Sequence, residues 1–185
     1  VSQAYRLLSF GVEASATDSQ ANWTVKIDSL INAGRLFEQF GMIEMRLWAN
    51  YLAAHLIQLH LHDHSMVYSM TREALAALKG TRFQKIELAT LQLQSLALIG
   101  LRKSGSLRPP ADDTDPVQAA LARAAELAGS MGYQFEQARA LYASGVEYAG
   151  QSSWPQALEQ FQLAVQLADS AASPELATAI RESIV

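Results

Sequence analysis

Apolar side chains return every three or four residues along almost the whole chain, and nowhere do they alternate as they would in a strand. Leu141, Gly145 and Tyr148 mark one such face, and Ala157, Phe161 and Ala164 mark the next. The pattern predicts helices over 2–15, 22–39, 43–61, 65–78, 82–103, 116–130, 133–149, 154–170 and 174–184. Punctuation supports the boundaries. Gly41 and Gly132 follow periodic stretches, where a helix end takes a positive φ. SWPQ (Ser153 to Gln156) and DPVQ (Asp115 to Gln118) each place an oxygen side chain at the N-cap, Pro in the first turn and Gln three residues on. Ser173-Pro174 repeats the cap and proline, and Ser65 is the expected cap of the helix after it. SGSLRPPADDTDP, residues 104–116, holds too much Pro, Gly and Asp for a helix and is expected to be an exposed loop.

The helices repeat in pairs. LLSFGVEASA (Leu7 to Ala16) matches LYASGVEYAG (Leu141 to Gly150) and shares the string GVE. Beyond it, Trp23, Leu30, Ala33 and Leu36 follow the order of Trp154, Phe161, Ala164 and Leu167. LALIGLRKSG (Leu96 to Gly105) lines up on the same segment, Gly100 on Gly145. Leu30 to Ala54 superposes on Leu121 to Gly145, with Gly41 on Gly132 and Tyr51 on Tyr142. Successive units lie about 40–50 residues apart, a spacing that marks stacked supersecondary repeats. The second unit offers Ala54 and Ile57 in its first helix, then Met66 and Met70 in its second.

The segment Ala138 to Ala171 resembles the tetratricopeptide repeat family. Leu141, Gly145, Tyr148, Ala157, Phe161 and Ala164 stand at the spacing of its 34-residue signature, with Ser144 in place of a large apolar residue. The other units are degenerate. The resemblance implies an all-α fold, an α-solenoid of antiparallel helical hairpins in a right-handed superhelix, with about nine helices. It implies one repeat domain, with units at about 1–40, 42–79, 82–131 and 133–171 and a terminal helix at 174–185. First helices would line a concave face. On that face the resemblance puts Tyr5, Trp48, Tyr51, His55, Gln58, Arg139 and Tyr142 as partner-binding residues. The family's clamp for C-terminal carboxylates takes Lys and Asn at places that Leu8 and Val12 occupy, so a chaperone-type clamp is not expected.

Composition narrows the function. Half the residues are apolar and 17% charged, as in a folded domain. A net charge of −4 without a basic block argues against binding nucleic acid through phosphate. No cysteine is present, which removes disulfides, thiolate nucleophiles and cysteine zinc sites. No apolar run is long enough for a membrane span. The chain begins at Val1, not Met, and is expected to be a piece of a larger protein, cytoplasmic, with the periplasm as the alternative.

All four histidines fall in HLIQLHLHDHS, His55 to Ser65. His60 and His64 with Asp63 could suit zinc or nickel. The repeat instead sets His60, His62 and His64 at a helix end and turn, where cationic residues suit the free carbonyls. No metal, cofactor or catalytic residue is therefore expected, and no HExxH, GxSxG or P-loop occurs. The expected role is a non-catalytic scaffold that binds a protein or peptide partner and neighbours other domains of its own chain. The alternatives are a sensory domain holding a small ligand in a closed apolar pocket near Trp48 and Tyr51, and a metal-binding protein at the histidines.

Overall fold

The computed structural model describes residues 1–13, 19–107 and 115–184, apart from the side chains of Gln20 and Ala21. Ser15, Ala16, Val185 and most of the 104–116 stretch therefore lie outside the described residues. Among the described residues the chain is all-α, with no strand. It forms α1 (Ser2–Val12), α2 (Gln20–Gln39), α3 (Ile43–Leu56), α4 (His64–Leu78), α5 (Gln84–Lys103), α6 (Pro116–Ser130), α7 (Gln134–Gly150), α8 (Trp154–Ser170) and α9 (Pro174–Glu182). A single π-turn, Ile57–Leu61, continues α3.

Two compact units divide the chain, Val1–Leu107 and Arg108–Val185, and the division falls inside the third expected pair. In the first unit each helix packs on its neighbour in sequence, and α3 also touches α1 and α5. Its core forms where Ile27, Leu30, Ala53, Ile57, Val67 and Leu93 meet. A second cluster joins Ala4, Ala33, Phe37 and Ala49. In the second unit α7 packs on α6 and α8, and α9 packs on α8. Its core sets Ala138 of α7 against Ala157, Phe161, Ala164 and Ala168 of α8, with Ala177 and Ile180 of α9. Each buried Leu, Ile or Phe contributes about 1.5–3 kcal/mol by leaving water. That gain comes only from pairing, because each helix is apolar on one stripe.

Glycines set the closest approaches. A Cβ on Gly145 would stand 2.6 Å from the Phe161 ring and 3.2 Å from the Ala157 carbonyl oxygen. A Cβ on Gly11 would overlap Leu30 and stand 3.1 Å from the Lys26 carbonyl oxygen. Within each of the α1–α2 and α7–α8 hairpins the two helices thus meet through the same kind of contact, at residues that the sequence repeat pairs.

Most helices stop alike. Gly41, Gly105, Gly132, Ser152 and Ala172 all have a left-handed φ. The next residue in each case donates its N–H to a carbonyl five residues back: Met42 to Phe37, Ser106 to Leu101, Tyr133 to Ala128, Ser153 to Tyr148 and Ser173 to Ala168. This is the Schellman ending, built from main chain alone.

Several local expectations need correction. Asp63, not Ser65, caps α4, and its carboxylate accepts from the Met66 N–H at 2.9 Å. An aspartate at the N-cap serves the free N–H groups as well as serine does. Asp115 caps α6 as expected, accepting from Val117 at 2.9 Å. Ser153 and Ser173 hold cap positions without a side-chain cap bond. Val67 and Thr71, not Met66 and Met70, take the core positions of α4; Met66 is 40% exposed. The cause is the π-turn. Ala54 to Val67 spans thirteen positions where Gly145 to Ala157 spans twelve. A π-turn accommodates one extra residue inside a helix, so everything beyond it moves by one.

Candidate recognition surface

Trp48, Tyr51 and His55 recur at spacings of three and four on α3, so they share one side of that helix. The rings touch in order. Trp48 meets Tyr51 edge-on, with centroids 5.7 Å apart and planes at 84°. Tyr51 stacks on His55 at 5.8 Å and 23°. All three are half-buried. The inner edge of Trp48 packs against the cluster of Leu47, Leu78 and Ile86. Tyr51 packs against the main core of the unit. Among the described residues, the Trp48 indole and the His55 imidazole have no hydrogen-bond partner, and both keep solvent access. Burial, and after it the charge of His60, hold His55 below its ordinary pKa of 6.5. At neutral pH it is a neutral imidazole, one nitrogen a donor and the other an acceptor.

Gln58 does not extend this ladder. It lies in the π-turn, and its carboxamide oxygen is 3.1 Å from Nδ1 of His64. His64 itself lies against Gly100 of α5, where a Cβ would overlap the imidazole. Tyr5, 43% exposed, stands edge-on to Phe37 at 5.1 Å. The second unit holds the other two expected residues. The Arg139 guanidinium lies 5.8 Å from the Phe135 ring. The Tyr142 hydroxyl is 3.1 Å from the Ser183 hydroxyl, and its ring lies against Phe161.

The histidines have separate surroundings. His60 lies flat on Trp23, with centroids 3.6 Å apart and planes at 7°. The Lys26 ammonium is 5.1 Å from the same Trp23 ring and donates to the Glu13 carbonyl. His62 takes the left-handed conformation that ends the π-turn. Among the described residues no three His, Asp or Glu side chains converge as metal ligands do. The space bounded by Asn50, Tyr51, Met70 and Thr90 measures about 10 Å³, at most one water. Among the described residues no helix is long and apolar enough to cross a membrane.

The Trp23–His60 stack was not foreseen from sequence, because it joins residues of two different repeat units. No protein-family model and no curated protein matches this chain.

Proposed function

We propose that the chain is a tetratricopeptide-like scaffold that binds a peptide or protein segment along the face of α3. The supporting observation is the ladder of Trp48, Tyr51 and His55. Half-buried aromatic rings, with the Trp48 indole and the His55 imidazole still free to bond, suit an interface anchor, rigid enough to hold its shape and able to pair with an incoming main chain. The shared glycine contacts of the α1–α2 and α7–α8 hairpins favour a repeat origin. Tyr5 adds exposed aromatic surface on α1. Arg139 and Tyr142 offer similar chemistry on α7. No catalytic step, cofactor or nucleic acid enters this reading, and the cytoplasm is its compartment.

Peptides selected from a random library against the folded chain provide the test. Trp48→Ala should weaken them by about 2 kcal/mol, roughly thirtyfold. Its cost in denaturant stability should stay below the 3–5 kcal/mol or so expected for a fully buried Trp. Selected peptides that bind the Trp48→Ala variant as tightly as the parent would remove this face from the recognition surface.

A further inference from the structure

Trp23 and Trp154 stand at matching places near the start of α2 and α8. Trp23 lies eighteen positions before Gly41 and Trp154 eighteen before Ala172, the left-handed residues at which those helices end. The register in between is the same. Leu30, Ala33 and Phe37 of α2 correspond to Phe161, Ala164 and Ala168 of α8, and all six are buried. Ile27 corresponds to Leu158, and there the two helices differ. Ile27 is 4% exposed and Leu158 43%. Trp23 is half-buried, whereas Trp154 is 63% exposed.

The first unit contains the covered form of this face. There α3 runs for fourteen residues and the π-turn continues it for five. Ala53, Ala54 and Ile57 share one buried cluster with Ile27 and Leu30, and His60 lies flat on Trp23. On α8 the corresponding place belongs to α9, which is nine residues long. Its Ala177 and Ile180 join Phe161, Ala164 and Ala168, and Leu158 lies outside that cluster. Among the described residues no ring or cation rests on Trp154. Ala157 stands where the first unit has Lys26, whose ammonium lies over Trp23. Single apolar residues scattered on a surface need no explanation. Trp154 and Leu158 are four apart on one helix face and prolong a buried helix–helix contact.

We infer that the first half of α8 is a docking face for a helix of a partner protein, laid end-on to α9. The covered face of α2 sets the partner's chemistry. It presents a small residue, an aliphatic residue one turn further on and a histidine or arginine about one turn beyond that, in the order of Ala53, Ile57 and His60. The aliphatic side chain packs on Leu158, and the planar group lies on the open face of Trp154. A planar cation suits that ring, because the π face is negative and no lysine occupies it. From Trp154 to Gln162 the single charge is Glu159, which favours the same sign in the partner. Trp48, Tyr51 and His55 take no part, so this face stands or falls apart from the peptide-binding reading.

The chain supplies its own probe. A helix-stapled peptide with the sequence of residues 50–62 carries Ala53, Ile57 and His60 in order. In the intact chain, isotope-labelled, Trp23, Trp48 and Trp154 give three indole N–H signals. Titration with the unlabelled peptide should shift the Trp154 signal saturably and leave those of Trp23 and Trp48 in place. Ile57→Asp or His60→Ala in the peptide should weaken binding at least about tenfold. Leu158→Glu in the protein should do the same and leave its melting temperature unchanged, because Leu158 is exposed. The two peptide variants leave the protein untouched and decide the matter whatever Leu158→Glu does to folding. No saturable shift of Trp154 below about 1 mM peptide, a shift of Trp23 in its place, or equal binding by the parent peptide and both its variants, would overturn the assignment.

Discussion

Gly145 and Gly150 lie on one helix and answer the same substitution in opposite ways. At Gly145 a methyl group would press into Phe161. Overpacking of this kind costs about 1–3 kcal/mol, against a gain of about 1 kcal/mol in helix propensity. At Gly150 a methyl group would meet nothing within 4 Å. Gly145→Ala should therefore lower the midpoint of urea unfolding and Gly150→Ala should raise it; two shifts of the same sign would remove the close contact as an explanation. His55 gives a second residue-scale expectation. Its folded-state pKa lies below its ordinary 6.5, so the unfolded chain binds the proton more readily. Stability is highest above 6.5 and falls as pH drops from there through the folded-state value. His55→Phe removes that proton while keeping a ring against Tyr51. The stability difference between parent and variant should move in the variant's favour as pH falls from 7 to 5. A pH-independent difference would show that His55 does not titrate differently on folding. At this scale the sequence was informative about periodic apolar residues and poor on polar ones. The positions of Gly11, Gly145 and Phe161 follow from spacing. The Arg46–Glu38 pair and the Trp23–His60 stack depend on which helices become neighbours.

Among elements, the π-turn decides how α3 and α4 meet. Among the described residues all nine helices fall close to the places that apolar spacing assigns, because each needs one stripe to bury. Periodicity says nothing about a single inserted residue, since the residues within the turn remain helical in composition. The insertion shows only when two copies are compared, as the thirteenth position between Ala54 and Val67. Leu59 is 51% exposed and makes a fair choice for deletion. Without it the turn should revert to an α-helix and keep Val67 and Thr71 on the core side of α4. Stability should change by about 1 kcal/mol or less, typical of a surface change away from the core. His60 should rotate by about 100°, one residue of helix, and leave Trp23, which a change in tryptophan fluorescence would report. Deleting Val146 from α7, an ordinary helix with no residue to spare, should abolish cooperative unfolding of the α7–α8 hairpin. Equal tolerance of both deletions would show that the extra residue is not what the π-turn absorbs.

At the scale of the molecule, each compact unit has buried clusters of its own among the described residues. A unit with its own core can fold alone. Fragments 1–107 and 115–185 should each give a helical circular dichroism spectrum and a cooperative melt. A fragment without a melting transition would mean that its core depends on the other. The left-handed helix ends carry a consequence of a different kind. Their hydrogen bonds run between main-chain groups, so the turn from one helix to the next needs no particular side chain. Ser152 and Ala172 already occupy a conformation that favours glycine, at about 1–2 kcal/mol each. Natural selection has little to hold at such junctions beyond their length. Lineages can drift there through many substitutions while the rhythm of small and large residues inside the hairpins persists. Two hairpins of one chain can then share as little as GVE while each closes its own two helices through the same glycine.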